Sequence, residues 1–135
     1  QFRIGAYRPD QPEAASPWLL EIVAGMFDGD ETGEEVVYRE VMEEAGIRPY
    51  SVTKICEYFV SPGGTDEKLH VYIACCDLST AGGIHGLEEE GEDIRLHILN
   101  RDDVFDALYS GRFNNAASLV ALQWLQMHHA SIPSH

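Results

Sequence analysis

The carboxylates of Glu40, Glu43 and Glu44 stand three and four residues apart near the end of the stretch GMFDGDETGEEVVYREVMEEAGI, residues 25–47. On an α-helix that spacing gathers them on one face. The residues around them predict such a helix: Thr32 suits the N-cap, Glu34 and Glu35 suit the positive first turn, and Gly46 suits the stop. Like charges at this spacing cost roughly 0.2–0.5 kcal/mol each, so helix stability alone disfavours the arrangement. A Glu-rich helix face is ordinarily just a solvated one. Hard divalent cations, which bind through carboxylate oxygens, would instead turn the repulsion into a binding site. The cluster reads as a metal platform.

A second group of acids, Glu88-Glu89-Glu90-Gly91-Glu92-Asp93, falls on an expected loop. By composition it is a solvated acidic loop. Its functional reading starts from a need: water attacking phosphorus requires a base near the metal, one able to sit over the substrate. With the helical carboxylates committed to metal, a loop is a natural source for it.

The elements that must position these acids are legible at coarse grain. Phe2–Tyr7 reads as the tail of a strand, and Trp18–Val23 as a second strand delivering Ala24-Gly25 to the helix. Arg48-Pro49 closes the helix off. Strands are predicted at Val52–Val60 and Lys68–Cys76, parted by Ser61-Pro62-Gly63-Gly64-Thr65, and another at Asp93–Leu99. Helices follow at Arg101–Tyr109 and Ala116–His129. The layout is α+β, a mixed β-sheet sandwiched between α-helices, in a single domain spanning residues 1–135.

Composition narrows the function classes. A chain of 135 residues with 44% hydrophobic and 24% charged residues has an ordinary globular balance, which argues against disorder. Its net charge of −14 makes nucleic acid and anionic membrane poor partners, and no apolar run approaches the roughly 18 residues of a membrane-spanning helix. The three cysteines, Cys56, Cys75 and Cys76, have neither zinc-site spacing nor an even count, and read as thiols in a reducing, cytoplasmic compartment. His128 and His129 at a helix end read as carbonyl partners rather than metal ligands, and Trp18 and Trp124 as packing. Gln1-Phe2-Arg3 reads as the middle of a strand, so a further N-terminal segment is expected in front of it.

The full spacing from Gly25 through Glu31, Arg39-Glu40-Val41 and Glu43-Glu44 to Gly46-Ile47 is that of the Nudix box. The chain therefore resembles the Nudix hydrolases, which use Mg²⁺ to cleave a nucleoside diphosphate linked to another group. PWLLEIVAGM, SPGGT, IHGL, EDIR and NAAS-ALQWLQ-HH, together with Pro62 fifteen positions past Ile47, make it similar to the bacterial ADP-ribose pyrophosphatase branch over nearly its whole length.

The resemblance implies the Nudix fold and hydrolysis of ADP-ribose, with Mg²⁺ as cofactor and Mn²⁺ able to substitute. By position it implies metal ligation by the backbone carbonyl of Ala24 and by Glu40, Glu44 and Glu92, with Glu43 close by. Glu90 is implied as general base, the Glu-rich run leaving the register of Glu90 and Glu92 open by one residue. Arg39 and Glu31 are implied as braces of the loop and helix. Arg3, Gly25, Met26 and Ser61 are implied as substrate contacts. A homodimer is implied as well, with adenine contacts drawn partly from the segment in front of Gln1. Rival readings are a Nudix hydrolase of another nucleoside diphosphate sugar or an oxidised nucleotide, and a non-catalytic ADP-ribose sensor. The retained Glu40, Glu43 and Glu44 and the lack of a basic recognition helix favour an enzyme.

Overall fold

A computed structural model describes residues 1–10, 16–79, 81, 84–85 and 94–132, with residues 84 and 85 described by backbone only. Its organising element is helix α1, Gly33–Ala45. The Thr32 side chain accepts a hydrogen bond from the Glu35 N–H at 3.3 Å, and the Glu35 carboxylate accepts one from the Thr32 N–H at 2.8 Å. This reciprocal capping box satisfies donors that a helix start leaves unpaired. At the other end Gly46 takes φ +66°, the left-handed conformation that glycine adopts without steric cost, and its N–H reaches the Met42 carbonyl at 2.9 Å. Thr32 and Gly46 thus bound the helix where their residue types predict.

The chain then enters strand β1, Pro49–Phe59, which pairs antiparallel with β2, Lys68–Cys76. β1 starts three residues ahead of its expected beginning. A proline at the first residue of a strand is tolerated because it need not donate to the ladder. The turn between them closes on Ser61, whose carbonyl accepts from the N–H groups of Gly64 and Thr65, both at 2.9 Å. Of the expected strand over Asp93–Leu99, only β4, Ile94–Arg95, pairs, against β3, Ile84–His85; Asp93 lies outside the described residues. Helices α2, Arg101–Ala107, and α3, Ala116–His128, complete the described elements, each capped by an asparagine, Asn100 and Asn115.

The α+β class stands, and every strand pairing among the described residues is antiparallel. Two expected strands are corrected. Phe2–Tyr7 contributes a single bridge, Phe2 to Trp18, before a 3-10 turn at Ile4–Ala6. Trp18–Val23 is not a regular strand. Beyond Leu19 its backbone bonds, among the described residues, to side chains: Asn115 donates to the Leu20 carbonyl at 3.0 Å and the Ile22 N–H donates to Ser118 at 3.2 Å.

Two apolar clusters hold these pieces. Val41, Ala45 and Ile47 pack with Val37, Cys76, Ala81 and Leu96, seating α1 on the sheets. Val104, Leu108 and Phe113 pack with Leu119, Leu122 and Leu20, drawing residue 20 onto the α2–α3 pair. No helix among the described residues is long and apolar enough to cross a membrane.

On the outer face of the hairpin, Lys54 and Lys68 both ion-pair with Glu57, and His70 lies 3.9 Å from it. Hydrogen bonds from Lys54 and then Lys68 hold the Glu57 carboxyl down to about 2, against an ordinary 4.5. A depressed carboxyl contributes stability above its unfolded value and loses it as pH falls towards its folded one. Glu57→Gln is therefore expected to be slightly less stable than the native chain at neutral pH, exposed pairs being weak. The difference in denaturant midpoint should shrink below about pH 4.5 and vanish near pH 2. A difference that stayed constant with pH would show the pairs contribute nothing.

Candidate active site

Arg39 is the hub of the site. Its Nε and Nη2 donate to the two carboxylate oxygens of Glu31 at 3.0 and 2.9 Å, a fork-to-fork geometry. Nη2 also donates to the Met26 carbonyl at 2.8 Å, and Nη1 to Glu40 and, at 3.3 Å, to Glu43. Glu31 in turn accepts from the Asp28 N–H at 3.0 Å. Arg39 first, then this N–H, hold the Glu31 carboxyl below its usual range. The bonds from Glu31 and Glu40 push the guanidinium further up, so it stays charged. One cation thus ties the loop over residues 26–31, through Glu31 and the Met26 carbonyl, to Glu40 and Glu43 of the helix. Arg39 and Glu31 bond the loop to the middle of the helix.

Glu44 is 6% exposed, on the same helical face as the buried Val41 and Ala45. Its Oε2 accepts from the Ala24 N–H at 3.2 Å. A buried carboxylate is costly unless it is hydrogen-bonded or paired, and the Ala24 N–H supplies such a bond. Gly25 lies directly against Glu40: a Cβ on Gly25 would fall 1.7 Å from Glu40 Oε1 and 1.9 Å from Cδ. Any side chain on residue 25 would have to displace that carboxylate or the loop. Ala24-Gly25 therefore runs across the top of Glu40 and Glu44. Phe27, further along the loop, sets its ring edge-on to His70 of β2, centroids 5.4 Å apart.

Of the residues singled out from sequence, Ala24, Gly25, Met26, Arg39, Glu40, Glu43 and Glu44 come together here, Met26 through its carbonyl. Arg3 instead ion-pairs with Glu21 at 2.8 Å and lines an open depression with Gly5, Ala6, Arg8, Leu19 and Asn114. Ser61 sits exposed in the β1–β2 turn. Glu90 and Glu92 lie outside the described residues. Among the described residues no three His, Cys, Asp or Glu side chains are grouped as a metal centre. Arg39 engages Glu40 and Glu43, leaving Glu44 turned to Ala24. The donors present are nonetheless hard oxygens, with the glycine-backed Glu40 and the buried Glu44 beside a peptide group. That set fits a hard divalent cation.

The histidines at the end of α3 behave as expected: His128 Nδ1 bonds the Trp124 carbonyl at 2.8 Å and His129 Nδ1 that of Gln126 at 2.9 Å. Sequence reasoning passed over two contributors, the Phe27–His70 contact and the Asn115 and Ser118 bonds to residues 20 and 22. The NAAS run was visible, but nothing local to it says what its side chains reach.

The family model described as the NUDIX domain matches residues 6–128. The chain is 43% identical over 132 residues to an ADP-ribose pyrophosphatase of Escherichia coli K12, covering 98% of this chain and 61% of that protein. It is 41% identical to an ADP-ribose pyrophosphatase of Haemophilus influenzae, covering 98% of this chain and 60% of that protein. A GDP-mannose pyrophosphatase of Yersinia enterocolitica is 33% identical, with 95% of this chain and 64% of that protein covered. The chain thus spans about three-fifths of the length of the curated relatives it matches. With a family match across residues 6–128 and the capped glutamate helix at its centre, the chain belongs to the Nudix family.

Proposed function

We propose that this Nudix domain hydrolyses ADP-ribose to AMP and ribose 5-phosphate, with Mg²⁺ as cofactor and Mn²⁺ as a substitute. The observation that carries the proposal is the Ala24-Gly25 backbone laid across Glu40 and buried Glu44. The substrate assignment follows the ADP-ribose pyrophosphatases at 41–43% identity. Glu40, Glu44, the Ala24 carbonyl and Glu92 would hold the cation. When bound, the cation neutralises diphosphate charge and lowers the pKa of a water.

The chain's own residues do the rest. Arg39 fixes the Met26 carbonyl and Glu31, and so fixes the loop that carries Ala24 and Gly25 to the helix. Glu90 accepts the proton of the attacking water. That water adds to one phosphorus, and the bridging P–O bond breaks. Arg3, Gly25, Met26 and Ser61 contact the substrate. The domain spans residues 1–135 and works as a homodimer in the cytoplasm, on a small molecule and not on nucleic acid or membrane.

A second substrate class is favoured by the GDP-mannose pyrophosphatase at 33% identity. The test is incubation with ADP-ribose, GDP-mannose and other nucleotide sugars, with and without Mg²⁺, and identification of products. ADP-ribose should be the best substrate, releasing AMP only with the cation. A higher kcat/KM for GDP-mannose moves the assignment to the second class, and no turnover of any nucleotide sugar overturns both.

Gly25→Ala tests the geometry. The added methyl overlaps Glu40, so either the loop or the carboxylate must move. Since displacement of about 1 Å costs on the order of 10²-fold in rate, kcat/KM should fall by about that factor while the chain stays folded. Activity within twofold of the native protein would show that the close approach does not matter.

A further inference from the structure

Residues 20–24 carry the backbone that meets Glu44, yet among the described residues no strand pairs with residues 20 and 22. Their hydrogen bonds go instead to the start of α3, more than ninety residues later. Asn115 uses both ends of its amide: Oδ1 accepts from the Ser118 N–H at 3.0 Å, capping the helix, and Nδ2 donates to the Leu20 carbonyl at 3.0 Å. Ser118 is fully buried, and its Oγ accepts from the Ile22 N–H at 3.2 Å. Leu20 also packs into the cluster of Val104, Leu108 and Phe113. Alternate residues of the segment are therefore gripped on one side by α3. Two residues further on, the Ala24 N–H meets Glu44.

We infer that Asn115 and Ser118 are positioning residues for the Ala24–Glu44 corner, acting through residues 20–22 and setting how well that corner takes a divalent cation. The inference rests on the proposed metal role of Ala24 and Glu44. Capping alone does not explain the pair, because a cap uses only Oδ1 of Asn115 and leaves the Ser118 hydroxyl with nothing to do. A completely buried hydroxyl is costly unless it satisfies a partner, and here the partner is the Ile22 backbone N–H.

Two variants separate the tether from the cap. Asn115→Asp keeps an equally good N-cap acceptor but replaces the donor to Leu20 with an oxygen that repels the carbonyl. Ser118→Ala removes a single oxygen and adds no bulk. Asn100→Ala serves as control: it deletes the N-cap of α2, which accepts from Asp102 N–H at 2.9 Å, and touches no residue of the segment. For each protein, Mn²⁺ binding, melting temperature and amide exchange at Ile22 and Ala24 are measured. Asn115→Asp and Ser118→Ala should weaken Mn²⁺ binding by roughly 10–100-fold, the range for groups that orient metal ligands. They should also speed exchange at Ile22 and Ala24, while Asn100→Ala lowers the melting temperature and leaves both readings unchanged. If the two variants merely melt lower, with native Mn²⁺ affinity and native exchange at Ala24, the positioning role is overturned. A native protein that takes up no Mn²⁺ would defeat the metal reading instead, and amide exchange would still decide whether the tether holds Ala24.

Discussion

Glu44→Gln is expected to cost at least about a hundredfold in kcat/KM for ADP-ribose and to raise the Mg²⁺ concentration needed for half-maximal rate. Glutamine keeps the size of the side chain, and its carbonyl oxygen can still accept from the Ala24 N–H that Glu44 now holds at 3.2 Å. The backbone corner should survive, and the variant should melt near the native temperature. What disappears is the negative charge, in a site that is 6% exposed, where little water screens it. Metal stabilisation of a reacting phosphate is worth several kcal/mol, and each 1.36 kcal/mol is about tenfold in rate. A titration of rate against Mg²⁺, run beside a thermal melt, reads both effects. Unchanged metal dependence in a folded Glu44→Gln protein would remove Glu44 from the ligand set.

Glu90→Gln should act on a different quantity. A positioned general base contributes on the order of 10²–10⁴-fold, so kcat should fall by that much. KM and Mn²⁺ affinity should stay within about twofold. A base that must be ionised gives an acidic limb in the pH–rate profile, and that limb should be lost in the variant. Glu89→Gln is the paired measurement, since the acidic run allows a register one residue off. If the large kcat effect falls on Glu89→Gln, the base is Glu89. Native turnover in both variants would take Glu89 and Glu90 out of the chemistry.

The two predictions differ in how much structure stands behind them. Glu44 is placed by its burial, its helix and its bond to Ala24. Glu90 lies outside the described residues, and its role comes from sequence resemblance. Arg39 joins the loop acid to the helical ones. Its bracing role was implied from sequence, and the structure gives it a mechanism, since the guanidinium bonds Glu31, Glu40, Glu43 and the Met26 carbonyl together. It also offsets the repulsion among the acids that the spacing alone would leave.

What the sequence determined by itself was whatever nearby residues settle among themselves. α1 is bounded by Thr32 and Gly46 because caps and stops are contacts within a turn or two, and its acids share a face because helical periodicity puts them there. The β1–β2 hairpin was legible for the same reason, its turn residues lying between two apolar runs. Only the tertiary structure decided the rest. It brought a glycine into contact with Glu40, buried Glu44 against Ala24, and in place of the expected strand at Trp18–Val23 set a bond from Asn115 to the Leu20 carbonyl and one from the Ile22 N–H to Ser118. A backbone group must be satisfied, but its own sequence does not say whether a strand or a distant side chain will do it. That choice is made by chain folding over more than ninety residues, which no local pattern records.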